Sequence, residues 1–514
     1  MFTINENKYT KEIVPLIGFL LLAAIMGFII KKGQVASAGF FIALPFILAL
    51  LVWIFRDPKV GVLSVLHFSF LVNGLGRFSP AGIPFGLFVD GLLILTIIAT
   101  IFKVNKKQAG LMQNPLFYIL FIWFLYTLFE LVNPEARSKE AWFYAVRGVS
   151  LYQIQLVPLI LILMNTKADM DQFIKIWFIW SLVAAIYGFK MNILGPNVGE
   201  RKWLDEGGKI THEIHGRLRI FSFYCDAGQF GAAMAHTTLS ALLMAIGPYP
   251  KKQKQFYWFI TAFCFWGYAL SGSRGPLFVL AAGGFLYLFL IGNFRIVMLG
   301  LAIGGLLFGI LKYTSIGSSN YQIQRMRTAL DPNDASLIVR IENQKKLAVY
   351  LSSRPMGGGI GSGGFWGNRF SPGSFLSQVA LDSWYVKIWV ETGIIGLVLH
   401  IASLILILII GIINIFKLKD PDIRQRLVAL VCGYFGIVFA SYGNQILGQM
   451  PTGTVINFTM VYMFLCIKWD NEITEKKNLG SNQNQINDKL EVENFKLPFE
   501  VGNRLERRVK VKVI

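Results

Sequence analysis

Three stretches of this 514-residue sequence set arginine beside glycine at the edges of long apolar runs. The first is His215-Gly216-Arg217-Leu218-Arg219-Ile220-Phe221-Ser222, followed by Asp226-Ala227-Gly228-Gln229. The second is Ser271-Gly272-Ser273-Arg274-Gly275, a tight turn between two apolar runs. The third holds Arg340, then Arg354-Pro355-Met356-Gly357-Gly358-Gly359-Ile360-Gly361, Asp382-Ser383-Trp384-Tyr385 and Glu391-Thr392-Gly393-Ile394-Ile395-Gly396-Leu397. A guanidinium is permanently charged, and its planar fork of donors matches phosphate oxygens. Several of them at one membrane interface can hold the diphosphate of a lipid carrier where its chain meets the bilayer. Glycines beside two of these arginines allow close backbone approach to such a ligand. The competing reading is that each arginine snorkels to headgroups or satisfies loop carbonyls.

The elements that position these residues are membrane helices. The chain is 54% hydrophobic and only 15% charged, with a mean hydropathy of +0.54. Apolar runs of roughly 18 residues or more recur between Lys/Arg clusters, the pattern of a polytopic helical membrane protein. The runs fall at 14–30, 39–55, 60–75, 85–102, 115–132, 149–164, 173–194, 227–247, 256–270, 276–291, 295–311, 392–416, 427–447 and 454–467. The expected fold is therefore all-α and polytopic, with about 12–14 transmembrane helices. The formal charge of +20 fits basic cytoplasmic loops and anionic lipid, so no nucleic-acid partner is implied. Cys264, Cys432 and Cys466 lie in apolar runs and Cys225 in a loop, with no ligand spacing; neither disulfides nor a metal site is expected. Val35-Ala36-Ser37-Ala38 resembles a signal-peptidase site, yet the apolar run before it is long and is followed by Lys31-Lys32, so it reads as a retained first helix.

Placing both termini in the cytoplasm puts Arg56/Lys59, Lys103/Lys106/Lys107, Lys251/Lys252/Lys254 and Lys417/Lys419/Arg424/Arg426 inside. The long loops 195–226 and 312–383 then lie outside, the second carrying short helices over the site. Asn333-Asp334 is expected to cap a helix starting at Ala335, with Leu337, Ile338, Ile341, Ala348 and Leu351 as its buried stripe and Arg340 projecting off it. Residues 1–469 form the membrane domain, and 470–514 a polar cytoplasmic tail expected to be mobile, with basic residues at 504–512 suited to anionic lipid. His67, Asp90, Lys190, His236 and His400 read as packing or interface contacts. Glu391 reads as an N-terminal helix acid, and His212, Glu213 and His215 as lesser candidates near Arg217.

The order of these motifs, from the Arg before the aromatic-Ser stretch through Ser-Gly-Ser-Arg-Gly and Arg-Pro-x-Gly-x-Gly to Asp-Ser-Trp-Tyr and Glu-Thr-Gly-x-x-Gly-Leu, resembles the bacterial O-antigen ligase and polymerase superfamily. The resemblance covers roughly residues 194–415. It implies a cofactor-free, metal-independent transfer of a glycan from undecaprenyl pyrophosphate to an acceptor hydroxyl, at the outer face of the inner membrane. Its implied partners are that lipid-linked glycan, an acceptor such as lipid A-core or a second lipid-linked glycan, and membrane lipids. It implies that Arg219, Arg274 and Arg340 grip the pyrophosphate, with Arg217, His215, Arg354, Tyr385 and Glu391 as secondary candidates. One departure stands out: Asp382 occupies the place where the family often has histidine, the residue proposed to activate the acceptor. A carboxylate can serve as such a base; Asp382 can equally cap the helix that follows it. Ligase and polymerase share all these residues. A lipid-linked-anion transporter would instead need broken helices at mid-membrane and internal repeats, which the sequence does not display.

Overall fold

The computed structural model describes residues 35–78, 85–214, 216–292, 294–328, 330–331 and 333–494. The expected span at 14–30, the candidate His215 and the basic residues at 504–512 lie outside the described residues.

The apolar runs among the described residues become helices, because in hydrocarbon every backbone N–H and C=O must be satisfied within its own segment. In chain order the main ones are α1 (Val35–Arg56), α2 (Pro58–Phe78), α3 (Gly86–Lys103), α4 (Pro115–Phe129), α5 (Lys139–Val146), α6 (Tyr152–Leu163) and α7 (Lys167–Leu194). After a loop come α8 (Ala227–Ala245), α9 (Lys251–Leu270), α10 (Leu277–Ile291), α11 (Phe294–Tyr313), α12 (Tyr321–Thr328) and α13 (Ala335–Leu351). The chain closes with α14 (Trp384–Lys417), α15 (Pro421–Ala440) and α16 (Thr452–Asn494). A two-residue hairpin, β1 (Glu213–Ile214) with β2 (Arg217–Leu218), is the β-structure among the described residues. The protein is thus an all-α, multi-pass membrane protein.

Seven described helical segments are long and apolar enough to cross a membrane: α2, α3, α4, α5 with α6, α7, α14 and α15. The apolar portions of α1, α10 and α11 are shorter. Helices α8, α9 and α16 also coincide with expected spans but carry more polar sequence. For α8 the reason is position: nearly every residue from Ala227 to Ala245 is buried among α7, α9, α10 and α15. A helix sheathed by protein has no lipid to satisfy, and its Ala, Gly, Ser and Thr permit close packing. The lipid-facing surface belongs to others, with Phe46, Phe102, Phe289 and Phe294 each at least 74% exposed.

Some boundaries differ from the sequence expectation. Helix α14 begins at Trp384 rather than near 392, and it breaks at Gly393, whose φ of 66° and ψ of −170° are not helical. Helix α15 stops at Ala440, ahead of the loop Ser441–Met450. Helix α16 runs unbroken from the bundle through the start of the polar tail to Asn494; its Asn, Lys, Glu and Gln residues are compatible with helix, and no proline interrupts it.

The two ends of the bundle are both polar, with different chemistry. At one end cations meet acids: Lys59 pairs with Asp169, Lys167 with Asp422 at 2.8 Å, and Arg426 with Asp422 at 2.9 Å and with Asp171. The opposite end gathers the hairpin, α12, α13 and the glycine-rich loop, and with them the arginines singled out by the sequence.

Candidate active site

The site is built from three loops laid over the bundle. The loop before α8 is held by Asp226, which caps that helix by accepting from the Gln229 N–H at 2.8 Å. Arg77 at the end of α2 anchors the same loop by donating to the carbonyls of Ser222, at 2.8 Å, and of Tyr224. Ser222 takes a left-handed φ of 51°, which costs a non-glycine residue of order 1–2 kcal/mol, and its hydroxyl is fixed on the Ala184 carbonyl at 2.8 Å. His212 accepts from the Ala227 N–H at 3.1 Å; burial pushes its imidazole down to about 4, so it serves as a neutral acceptor.

This scaffold delivers Arg219 to the Ser271–Gly275 turn, where its Nη2 donates to Ser273 Oγ at 2.6 Å. The Ser273 hydroxyl passes the contact on to the Ala227 carbonyl at 2.9 Å. Gly272 has a φ of 54°, and a Cβ there would lie 3.3 Å from the Tyr321 ring and 3.6 Å from the Arg219 side chain. The left-handed φ is what favours glycine here, and a side chain would also need the Tyr321 ring to give way by a few tenths of an ångström. Arg325 on α12 donates to the Gly272 carbonyl at 3.2 Å. Arg274 pairs with Asp334 at 2.5 Å. Burial, then the Arg325 and Arg274 guanidiniums, push Arg219 below its ordinary value, offset by Asp226; burial and then Arg274 do the same to Arg325.

Three mutually repelling guanidiniums held together this way offer the charge and donors that suit a multiply charged anion. Two donors at the corner support that reading: Arg219 Nε and the Tyr321 hydroxyl are both buried without a hydrogen-bond partner. Leaving buried donors unmatched costs free energy that a bound phosphate would recover. Tyr321 also lies under the guanidinium of Arg217, 5.4 Å from its ring centre.

Helix α13 bridges this corner to Asp382. As the sequence indicates, Asp334 caps the helix at Ala335, accepting from the Leu337 N–H at 3.1 Å. One and a half turns on, Arg340 donates to Asp382 Oδ2 at 3.2 Å. The expected buried stripe is corrected: Leu337, Ile338 and Ile341 are exposed, at 37%, 43% and 44%. The contacts that seat α13 are Leu347 and Leu351, packed with Leu376, Leu381 and Val390. Capping by Asp382 is also corrected, since Ser383 caps α14 by accepting from the Val386 N–H. The Asp382 carboxylate is thereby left half-exposed, with the Arg340 guanidinium against it.

The remaining candidates sit apart from the arginine corner. Arg354 pairs with Glu135 at 3.0 Å and stacks 4.1 Å from the Tyr350 ring centre, fastening α13 to the loop after α4. The Tyr385 hydroxyl donates to the Val438 carbonyl at 2.6 Å. Glu391 is fully buried inside the bundle, where neither oxygen has a hydrogen-bond partner. The glycine-rich loop positions α14: a Cβ on Gly393 would lie 2.0 Å from the Pro355 carbonyl oxygen, and one on Gly357 2.4 Å from the Gly393 nitrogen. Arg325, Tyr321 and Arg77 are absent from the sequence reading; their positions in the long loop and at a helix end gave no spacing that ties them to the motifs.

Residues 259–401, which include Arg274, Arg325, Arg340 and Asp382, match the O-antigen ligase family model. A curated relative, an O-antigen polymerase of Salmonella muenchen, is 24% identical over 359 residues, covering 68% of this chain and 80% of the relative. The chain is thus similar to O-antigen ligases over residues 259–401 and to an O-antigen polymerase over most of its length. Arg219 lies outside the segment matched by the family model, and only the fold brings it to Arg274.

Proposed function

We propose that the protein transfers a glycan from undecaprenyl pyrophosphate to an acceptor hydroxyl at the periplasmic face of the inner membrane, as an O-antigen ligase does. The observation that carries this reading is the arginine corner of Arg219, Arg274 and Arg325 with its unmatched buried donors, linked through α13 and Arg340 to a half-exposed Asp382. In the reaction the acceptor O–H gives its proton to the Asp382 carboxylate. Its oxygen bonds to the anomeric carbon, and the bond from that carbon to the phosphate oxygen breaks. Undecaprenyl pyrophosphate leaves with the bonding pair. The arginines stabilise the charge that collects on that leaving oxygen, so the residues invoked here supply the chemistry without requiring a metal.

A second reading, repeat-unit polymerisation, is favoured by the match to an O-antigen polymerase across most of the chain. It uses the same residues and differs in its acceptor, a second lipid-linked glycan. Deletion in the source bacterium followed by surface-glycan profiling separates the two. Long lipid-linked polymer beside a bare acceptor identifies a ligase; single repeat units alone identify a polymerase. An unchanged glycan profile, or normal transfer by Arg274→Ala, overturns the transferase reading.

A further inference from the structure

A cleft of about 530 Å³ is lined by Trp384, two residues past Asp382; neither Asp382 nor any of Arg219, Arg274, Arg325 and Arg340 lines it. Its walls come from the ends of α2 and α3, the junction of α5 and α6, the loop before α8, the segment Gly363–Trp366, the first turn of α14 and the loop before α16. Trp384 and Lys387 project into it from the turn that begins just after Asp382, and Gln445, another lining residue, donates to the Leu381 carbonyl. The cleft and the arginine corner share the loop before α8, which gives Cys225 to the cleft and Arg219 to the corner.

Its chemistry is specific. Arg147 sits on the π-helical turn between α5 and α6, a distortion of the helix that often marks a functional position. Its Nε is held by Asp90 Oδ2 at 3.0 Å, while its Nη2 is buried with no hydrogen-bond partner, and the residue is 8% exposed. Lys387 supplies a second cation, 5.6 Å from the Trp384 ring centre. Facing them are the parallel rings of Tyr144 and Trp366, with centroids 4.9 Å apart and planes at 18°. The Arg147 guanidinium also lies 5.0 Å from the Tyr144 ring centre. Glycines at 76, 86, 148, 363, 364 and 448 are also in the lining. Flat aromatic faces suit the C–H face of a pyranose, and two cations suit a phosphoryl or carboxyl substituent on it.

We propose that this cleft is the acceptor subsite, built for an anionic sugar whose charged substituent is held by Arg147 and Lys387 while its ring packs on Trp366 and Tyr144. The assignment rests on the transferase reading for the word acceptor; the anionic-sugar specificity rests on the cleft alone.

The test uses the purified full chain in detergent, with glucose 6-phosphate and glucose as probes in ligand-observed NMR. Glucose 6-phosphate binds saturably, and glucose binds at least tenfold more weakly. Lys387→Ala weakens glucose 6-phosphate binding about tenfold, Arg147→Lys retains it, and Arg274→Ala leaves it unchanged. In inner-membrane vesicles glucose 6-phosphate slows transfer by the wild type and has no effect on the residual transfer by Lys387→Ala. Equal binding of the two sugars, or full binding by Lys387→Ala, overturns the cleft assignment whatever the transfer assay gives. Failure of the transferase reading shows differently, as normal surface glycan in Arg274→Ala with sugar-phosphate binding intact. Binding without inhibition of transfer refutes the acceptor role.

Discussion

Substituting Asp382 separates proton acceptance from simple anchoring of Arg340. Asn keeps the size and the hydrogen bond to Arg340 but cannot take a proton, so Asp382→Asn should lose at least ~100-fold in transfer, as a missing general base does. Asp382→His, which supplies another group able to take a proton, should retain measurable transfer. Accumulation of lipid-linked glycan in Asn but not in His cells is the readout; equal activity in both would make the carboxylate a mere anchor. Arg325 carries a parallel prediction. Arg325→Ala should lower transfer by roughly 100-fold, comparable to removing one charge-stabilising donor from an active site, while leaving the amount of inserted protein unchanged in a membrane immunoblot. The contrast between these two residues shows what a sequence can reveal. Asp382 stood in a motif, so its neighbours in sequence announced it. Arg325 reaches the Ser271–Gly275 turn from a separate helix through a hydrogen bond to the Gly272 carbonyl. Folding of the loop creates that proximity, and no local pattern encodes it.

Helix α13 is the element on which both halves of the proposed reaction depend. Its cap was legible because Asp before an apolar run has a local meaning: the side chain meets an orphan N–H within the next turn. Its seating was not, since apolar spacing picks out a face without saying whether that face is covered. Leu347 and Leu351 are buried only because Leu376, Leu381 and Val390 arrive from elsewhere in the chain. Asp334 does two jobs, capping α13 and pairing with Arg274. Asp334→Asn should keep the cap and lose the ion pair, whereas Asp334→Ala loses both. The Ala variant should therefore be about 1 kcal/mol less stable than the Asn variant, the usual worth of an N-cap, as read by thermal unfolding in detergent. A larger effect belongs to the break in α14. Gly393→Ala would force a left-handed φ on alanine and drive its Cβ against the Pro355 carbonyl. Strain and overpacking together should cost about 3 kcal/mol or more. A Gly393→Ala protein that melts like the wild type would show that the glycine-rich loop does not need this contact.

At the scale of the whole molecule, the two polar ends of the bundle make sidedness the deciding property. The membrane helices are legible from apolar length, α8 among them at 227–247; what the apolar run does not reveal is that α8 is wrapped by other helices rather than by lipid. The end with Lys59, Lys167 and Arg426 has its cations matched to Asp169, Asp171 and Asp422. The other end concentrates guanidiniums with unmatched donors, as a binding face for an anionic substrate should. Under the positive-inside rule the short basic loops are expected on the cytoplasmic side, and the proposed reaction accordingly requires the arginine corner to face the periplasm. Val198, 87% exposed in the loop before α8, and Lys252, exposed at the start of α9, report on opposite faces. With Cys225→Ser as background, Val198→Cys should react with a membrane-impermeant maleimide in intact spheroplasts, and Lys252→Cys only after the membrane is opened. The reverse labelling would put the arginines and Asp382 in the cytoplasm, out of reach of a glycan carried on the periplasmic leaflet. It would refute the transfer reaction proposed here even if every distance at the site were correct.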